Sequence, residues 1–480
     1  MIQMKKEGRV IIRKYQNLFF PKRIGILFVL FILASGCKKE EVTLNIENPN
    51  TETPDTEVEP TQYDVPFNNV PIASDIAMYE VNIRAFSTSG NLNLVQDNLD
   101  SIKNLGINIV WLMPIYPTGD LKSVGSPYAV KNYTEVNPDF GTLNDLRSLV
   151  KEAHTKNMAV ILDWVANHTA WDHPWIQNKS WYTQDASGNI VSPDGWTDVA
   201  DLNYSSTAMR SEMIRAMKYW VLEANIDGYR CDFAEGVPTD FWKQAIDSLR
   251  NIPNRKLIMF AEAGKKELYT AGFDLTFGWD FYNKLNDVFN NNESTSGLVT
   301  VNNADYSGIP DGAQVLRWIT NHDDNAWEAT PLETFGGKNG SLAAFVLTAY
   351  MGGVPLIYNG QEVGCPVQLS FFEGSNTVID WTINPEMKEA YQKIMAFRNQ
   401  SSAVKTGAIE TFYSNDVMAF KRISGDEEVL VVVNLRDHAV NFELPAVLAN
   451  TSWSDAFSQS SVQLESEITL DSYEYKILKN

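Results

Sequence analysis

From Ile76 onward, apolar runs of strand length alternate with helix-length amphipathic segments, and no other feature constrains the fold of this chain as strongly. The runs are IAMYEVNI, NIVWLMPI, AVILDWV, IDGYRCDF, KLIMFAEA, FDLTFGWD, VLRWITNH and GVPLIYNG, eight in all. Near-continuous apolar runs are what parallel strands buried on both faces require. Between them, segments such as LVQDNLDSIKNLG, LNDLRSLVKEAHTKN and AMRSEMIRAMKYWVLEAN carry Leu, Ile, Met or Val at three- and four-residue spacing, with Gly or Asn after the last turn. Eight such units close into a (β/α)8 barrel, whose chemistry sits at the C-terminal ends of its strands. Four segments carry a carboxylate or imidazole at such an end: DWVANH (Asp163 to His168), DGYRCDF (Asp227 to Phe233), FAEA (Phe260 to Ala263) and ITNHDD (Ile319 to Asp324).

The periodicity also divides the chain. Residues 71–400 hold the barrel pattern. After its third strand, residues 169–206 break the pattern with Trp171, Trp175, Trp181, Trp196 and many Asp, Asn, Gly and Pro, as in an elaborated loop over the barrel mouth. Most of these tryptophans are expected to be loop core, with sugar stacking as the functional alternative. Past residue 400, short alternating runs (VMAFKRI, EEVLVVVNL, VNFEL, YEYKIL) predict a C-terminal antiparallel β-sandwich over 401–480.

At the other end, basic residues up to Arg23, the apolar run Ile24 to Ala34 and then Ser35-Gly36-Cys37 read as an export signal over residues 1–36. The small pair before a single Cys resembles a bacterial lipobox, as against an ordinary cleaved signal or a short membrane anchor. The expectation is a mature protein lipidated at Cys37, extracytoplasmic and held to a membrane. Residues 37–70, rich in Glu, Thr, Asn and Pro, are expected to be its tether. Acidic residues outnumber basic ones 60 to 39, a net charge of -21, which argues against nucleic acid and suits an uncharged ligand. Cys231 and Cys365 show no pairing pattern, so no disulfide is expected.

The four polar segments, in this order, resemble the α-amylase family of glycoside hydrolases, family 13. YEVNIRAF, GINIVWLMPIYP, SPYAVKNYTEVNPDFGT, ADLNY and GGVPLIYNGQE extend the resemblance over nearly everything from Ile76 to the C-terminus. It implies a retaining hydrolase in which Asp232 is the nucleophile, Glu262 the general acid/base and Asp323 the third carboxylate that supports the transition state. Arg230, two residues before Asp232 on the same strand face, would keep that carboxylate ionised; Glu262, among Phe260, Ala261 and Ala263, would have its pKa raised by desolvation and by nearby carboxylates. Tyr128, His168, Arg230 and His322 match sugar-binding positions, and Asp163 is expected to hold Arg230. Asp324 is set aside because the acid follows the histidine directly in the family motif.

In many relatives calcium is bound at the positions of Asn167 and Asp201, both oxygen donors suited to that ion. One departure stands out: where starch-cleaving members often carry Lys-His beyond the nucleophile, this chain has Glu235-Gly236. The resemblance implies an endo-acting α-amylase on α-1,4-glucosidic bonds of starch- or glycogen-like polymers, with no organic cofactor. The alternatives are an exo-acting α-glucosidase or cyclomaltodextrinase and, in another class, a non-catalytic glycan-binding lipoprotein. The last should have lost one of Asp232, Glu262 and Asp323, and all three are present.

Overall fold

A computed structural model of the chain describes residues 60–374 and 377–480. The expected signal segment, Cys37 and the first part of the expected tether lie outside the described residues. All eight expected barrel strands form: β1 (Met78–Val81), β2 (Ile109–Leu112), β3 (Ala159–Val165), then, past a small hairpin of β4 (His168–Ala170) and β5 (Val199–Asp201), β6 (Gly228–Asp232), β7 (Ile258–Ala261), β8 (Leu275–Phe277), β9 (Gln314–Arg317) and β10 (Val354–Tyr358). They pair in parallel in the closed order β1-β10-β9-β8-β7-β6-β3-β2.

Period-2 alternation assigns each side chain to one of two cores. Met78, Ile109, Trp111, Ala159, Ile161, Ile258, Phe260, Leu275 and Leu356 fill the barrel interior. Tyr79, Val110, Leu112, Val160, Leu162 and Met259 point outward to the helices. The same inward parity carries Glu80 after Met78, Asp163 after Ile161, and Glu262 after Phe260. Charged groups therefore form the uppermost interior layer, directly above an apolar one. Gly228, which opens β6 at φ +148°, is required by close approach: a Cβ there would lie 1.9 Å from the carbonyl oxygen of Ile258.

The helices follow their sequence signals. Thr142 and Asp145 form a capping box at the start of helix Leu143–Thr155, which buries Leu146, Leu149, Val150 and Ala153. Ser206 caps Thr207–Glu223. The helix expected over LVQDNLDSIKNLG is instead two, Leu92–Asp97 and Leu99–Asn104. The break falls at Asn98, whose side chain donates back to the Leu94 carbonyl at 2.8 Å and competes with the backbone pattern.

Residues 61–70 correct the extent of the expected tether, because they form a strap across the N-terminal ends of β3 and β6. Thr61 N–H donates to Glu223, Tyr63 N–H to the Leu222 carbonyl, and Asn225 donates to the Val65 carbonyl. Arg147 lies 4.1 Å over the Tyr63 ring. Phe67 stacks on His154 at 4.4 Å, His154 contacts buried Asp227 at 2.8 Å, and Phe67 and Val70 join the interior core from below. A Phe67→Ala substitution should cost about 3 kcal/mol, the low end for a buried Phe because this ring sits at the rim. Thermal melting of the full chain checks this; an unchanged midpoint would mean the strap carries no stability.

The C-terminal part is antiparallel: β11 (Ala408–Tyr413), β12 (Val417–Ser424), β13 (Glu427–Asn434), β14 (Val440–Glu443), β15 (Ser452–Asp455), β16 (Ser461–Gln463), β17 (Glu467–Leu470) and β18 (Tyr475–Lys479). Six form one sheet in the order β11-β12-β13-β18-β15-β16, and β14 pairs with β17. Alternation again divides the faces: Val417, Ala419, Leu430 and Val432 pack with Phe442 and Leu470, while Met418, Phe420, Val431 and Val433 face the barrel core. Cys231 and Cys365 are free and buried, and no described helix is long and apolar enough to cross a membrane.

Candidate active site

Arg230 is the hub of the barrel mouth. Its side chain is fully buried; Nη1 donates to Asp163 at 2.7 Å and to Asp232 at 3.1 Å, and Nη2 lies 3.0 Å from Glu262. The last is a charge contact, since Nη2 has no aligned hydrogen-bond partner. Asp163 faces Arg230 because β3 and β6 pair in that register, and it also accepts from Trp111 at 3.2 Å and Tyr128 at 3.1 Å. Asp163 is thus saturated and inaccessible. The Asp232 and Glu262 side chains keep 13% and 17% of their surface exposed, which places them at the floor of an open cleft.

A second layer is built on His322. Its Nδ1 contacts Glu80 of β1, Nε2 lies 2.7 Å from the Tyr128 hydroxyl, and Asp323 is 3.4 Å away. Burial works against a charged ring, but Asp323 and Glu80 outweigh it and raise the His322 pKa to about 10, so the group is an imidazolium at neutral pH. Asp323 faces the cleft with 37% of its side chain exposed. Asp324 turns away, accepts from Trp318 Nε1 at 2.7 Å and is pushed by burial to about 8. Of the two, Asp323 is the one exposed toward the barrel mouth.

Five carboxyls (Glu80, Asp163, Asp232, Glu262, Asp323) share two cations, Arg230 and His322. Burial raises both Asp232 and Glu262, and Arg230 opposes the rise in each. The rise of Glu262 through burial and Asp323 is as expected; what differs is that Asp232 rises too. Glu262 is not isolated among apolar neighbours: it accepts the Phe233 N–H at 2.7 Å besides touching Arg230, whereas Asp232 has the single Arg230 bond. The two carboxyls therefore stand in one charge cluster, each raised by burial and each drawn down by the same Arg230.

His168 stands apart from this network. It is buried on β4, 3.3 Å from Asn167, and desolvation lowers its pKa to about 4, so it is neutral. Across the hairpin it pairs with Asp201. Asn167 and Asp201 are therefore neighbours, and burial raises the Asp201 carboxyl above its usual range. Among the described residues no group of three or more His, Cys, Asp or Glu side chains could hold a metal ion. An amide oxygen and a carboxylate supply part of the six to eight oxygens calcium takes, the others being of the backbone-carbonyl or water kind.

Aromatic side chains extend the cleft to two sides. Tyr128, His322 and Phe371 are near parallel with centroids 5.5–6.0 Å apart, one stacked aromatic cluster at the barrel mouth. Phe371 continues to Trp327, 55% exposed. Beside Asp232 and Glu262, Phe233 meets Trp196 at 5.2 Å, and Trp196 is 40% exposed. Trp171 is no open platform, because Lys122 covers its ring at 3.4 Å, and Trp175 and Trp181 pack on each other as loop core. Sequence reasoning missed Glu80, Phe371 and Trp327. Only Glu80 left a signal, a lone carboxylate inside the apolar run YEVNI.

The sequence model of the α-amylase catalytic domain matches residues 64–188 and 177–396, more than half of the chain. The chain belongs to the α-amylase family. It is a glycoside hydrolase acting on α-glucans. The model of the maltogenic amylase C-terminal domain matches residues 410–477 of this family member. The chain is 28% identical to Alpha-amylase 3 of Dictyoglomus thermophilum, over 78% of its own length and 88% of the relative. It is 24% identical to a cyclomaltodextrinase of a Bacillus species, over 72% and 65%. Among solved structures it resembles the noncanonic maltogenic α-amylase AmyB of Thermotoga neapolitana, with 27% identity, a TM-score of 0.75 and coverage of 85% and 99%.

Proposed function

We propose that this α-amylase family member is endo-acting, cleaving internal α-1,4-glucosidic bonds of starch- or glycogen-like chains with retention of configuration. The observation that carries the reading is the gathering of Asp232, Glu262 and Asp323 in one cleft flanked by Trp327 on one side and Trp196 on the other. Aromatic rings take the C–H faces of sugars, so exposed rings on both sides suit a chain that runs through rather than an end held in a pocket.

In the first step Asp232 attacks the anomeric carbon as the bond to the leaving oxygen breaks, and Glu262 gives that oxygen its proton. In the second, Glu262 takes a proton from water, whose oxygen forms the new bond to the anomeric carbon and releases Asp232. Asp323 and the His322 imidazolium hold the same sugar unit while it carries oxocarbenium charge, and Tyr128 stacks on it. Arg230, bonded to Asp232, favours its ionised form against burial, and His168, neutral, offers a hydrogen bond to a hydroxyl.

A cyclomaltodextrin-opening or maltogenic activity is the second reading, supported by the C-terminal domain match and by Glu235-Gly236 in place of Lys-His. Product analysis on soluble starch, maltoheptaose, cyclodextrin and pullulan separates them. Early mixed oligosaccharides from starch are expected; preferential ring opening or glucose alone would overturn endo action. Calcium enters no step of this scheme. Export and lipidation at Cys37, with attachment to a membrane on its extracytoplasmic side, are proposed on the residue pattern from Arg23 to Cys37.

A further inference from the structure

We propose that Phe233 is a positioning residue for Glu262: a left-handed insertion at the end of β6 takes its amide out of the sheet and fixes it on Glu262 Oε2. The inference rests on the reading of Glu262 as acid/base. In regular parallel pairing, one residue's N–H and C=O bond to partners two apart on the neighbouring strand. Glu262 N–H donates to the Cys231 carbonyl at 2.9 Å, so its own carbonyl should receive the Phe233 amide. It receives the Ala234 amide instead, at 3.1 Å. The extra residue is Phe233, at φ +39°, ψ 45°, and its freed N–H reaches Glu262 Oε2 at 2.7 Å. Extra residues of this kind, which re-aim one group beside an active site, belong with β-bulges.

Of the eleven described non-glycine residues with positive φ, seven are Asn or Asp, which tolerate that region. A Phe does not, so something must hold it. Its ring is held on two sides. Trp196 packs edge-on at 5.2 Å, and on the other side a Cβ at position 236 would lie 2.3 Å from the ring, so only Gly236 leaves room. The Glu235-Gly236 departure thus acquires a local cause. Trp196 belongs to the loop over the mouth and also meets His168, at 5.7 Å, so that loop is linked by packing to the acid/base.

The amide on Oε2 leaves Oε1 to carry the transferred proton, since the Arg230 contact at Oε1 is unaligned. The charged groups facing Glu262 are Arg230 and Asp232 from β6 and His322 and Asp323 beyond β9. An amide on a carboxylate favours its ionised form, so losing it should move the basic limb of the activity profile upward.

Two variants separate backbone from ring. Phe233→Ala keeps the Cβ that opposes the left-handed turn and loses the ring packing that holds it there. Its kcat on maltoheptaose should fall about 10- to 100-fold, its basic limb should rise, and an aryl maltoside whose leaving group needs no proton should be cleaved with a much smaller loss. Phe233→Gly keeps the turn and the amide; it should keep the wild-type limb and show chiefly a higher KM. Should the alanine variant keep the wild-type limb, or lose both substrates equally, the positioning role is overturned. Glu262→Gln tests the underlying reading separately: it should abolish maltoheptaose turnover while keeping a rapid first release of the aryl group, with azide, which needs no base, restoring turnover of that substrate; full turnover on both without azide would overturn the acid/base assignment itself.

Discussion

Asp232→Asn should lower turnover on starch and maltoheptaose by about 10⁴-fold or more, the scale on which removal of a covalent nucleophile is felt. The amide keeps the shape of the carboxyl and can still accept from Arg230 Nη1, now 3.1 Å from Asp232. What it loses is the charge and the oxygen lone pair that forms the glycosyl ester. Stability should move the other way. Five carboxyls crowd two cations at the barrel mouth, and burial already pushes the Asp232 carboxyl well above its ordinary range. Removing one negative charge relieves the cluster, so the melting point should stay level or rise, the usual trade between an active site and its own stability. A fluorinated glycosyl fluoride, which slows the second step, should leave one sugar on the peptide containing Asp232 in the wild type and none in the variant. Turnover within tenfold of wild type, or an adduct on another residue, would remove Asp232 from the role.

The barrel was legible because a parallel strand buried on both faces must be apolar almost throughout, and nothing else in the chain has eight such runs. Residues 61–70 were misread for a related reason. Three apolar anchors, Tyr63, Phe67 and Val70, are diluted among polar residues, and their partners Arg147, His154 and Leu222 lie far along the chain. Four strands of the C-terminal sheets, β11, β15, β16 and β17, escaped notice because they are edge or short elements with many exposed positions. In the site, the four polar segments could be read one at a time, but not their mutual satisfaction. Glu80 and His322 meet across 242 positions. Likewise MFAEA looks apolar in sequence, yet the Glu262 side chain points inward above Phe260 to Arg230 and the Phe233 amide, away from Ala261 and Ala263.

Arg230→Leu should be the most damaging single change to the fold of the mouth, because three carboxyls depend on one buried guanidinium. Taking one partner from a buried ion pair costs about 3–5 kcal/mol, since the other charge stays behind unpaired. Asp163 would suffer most: its side chain is fully buried and Arg230 is its only cation at 2.7 Å. Arg230→Lys would not rescue the site, as one ammonium cannot reach Asp163, Asp232 and Glu262 together. The pH dependence gives the sign. Without Arg230 the folded-state pKa values of Asp232 and Glu262 rise further above their unfolded values. Groups raised in this way favour the fold only while protonated, and that contribution is lost as pH climbs through the folded pKa. The variant's deficit against wild type should therefore be largest at neutral pH and shrink as pH falls toward the ordinary carboxylate range. Denaturant midpoints across that range measure it. A deficit independent of pH would mean that Arg230 acts by packing on Trp111 and Tyr128, whose rings lie 5.2 and 5.7 Å from it, rather than by charge.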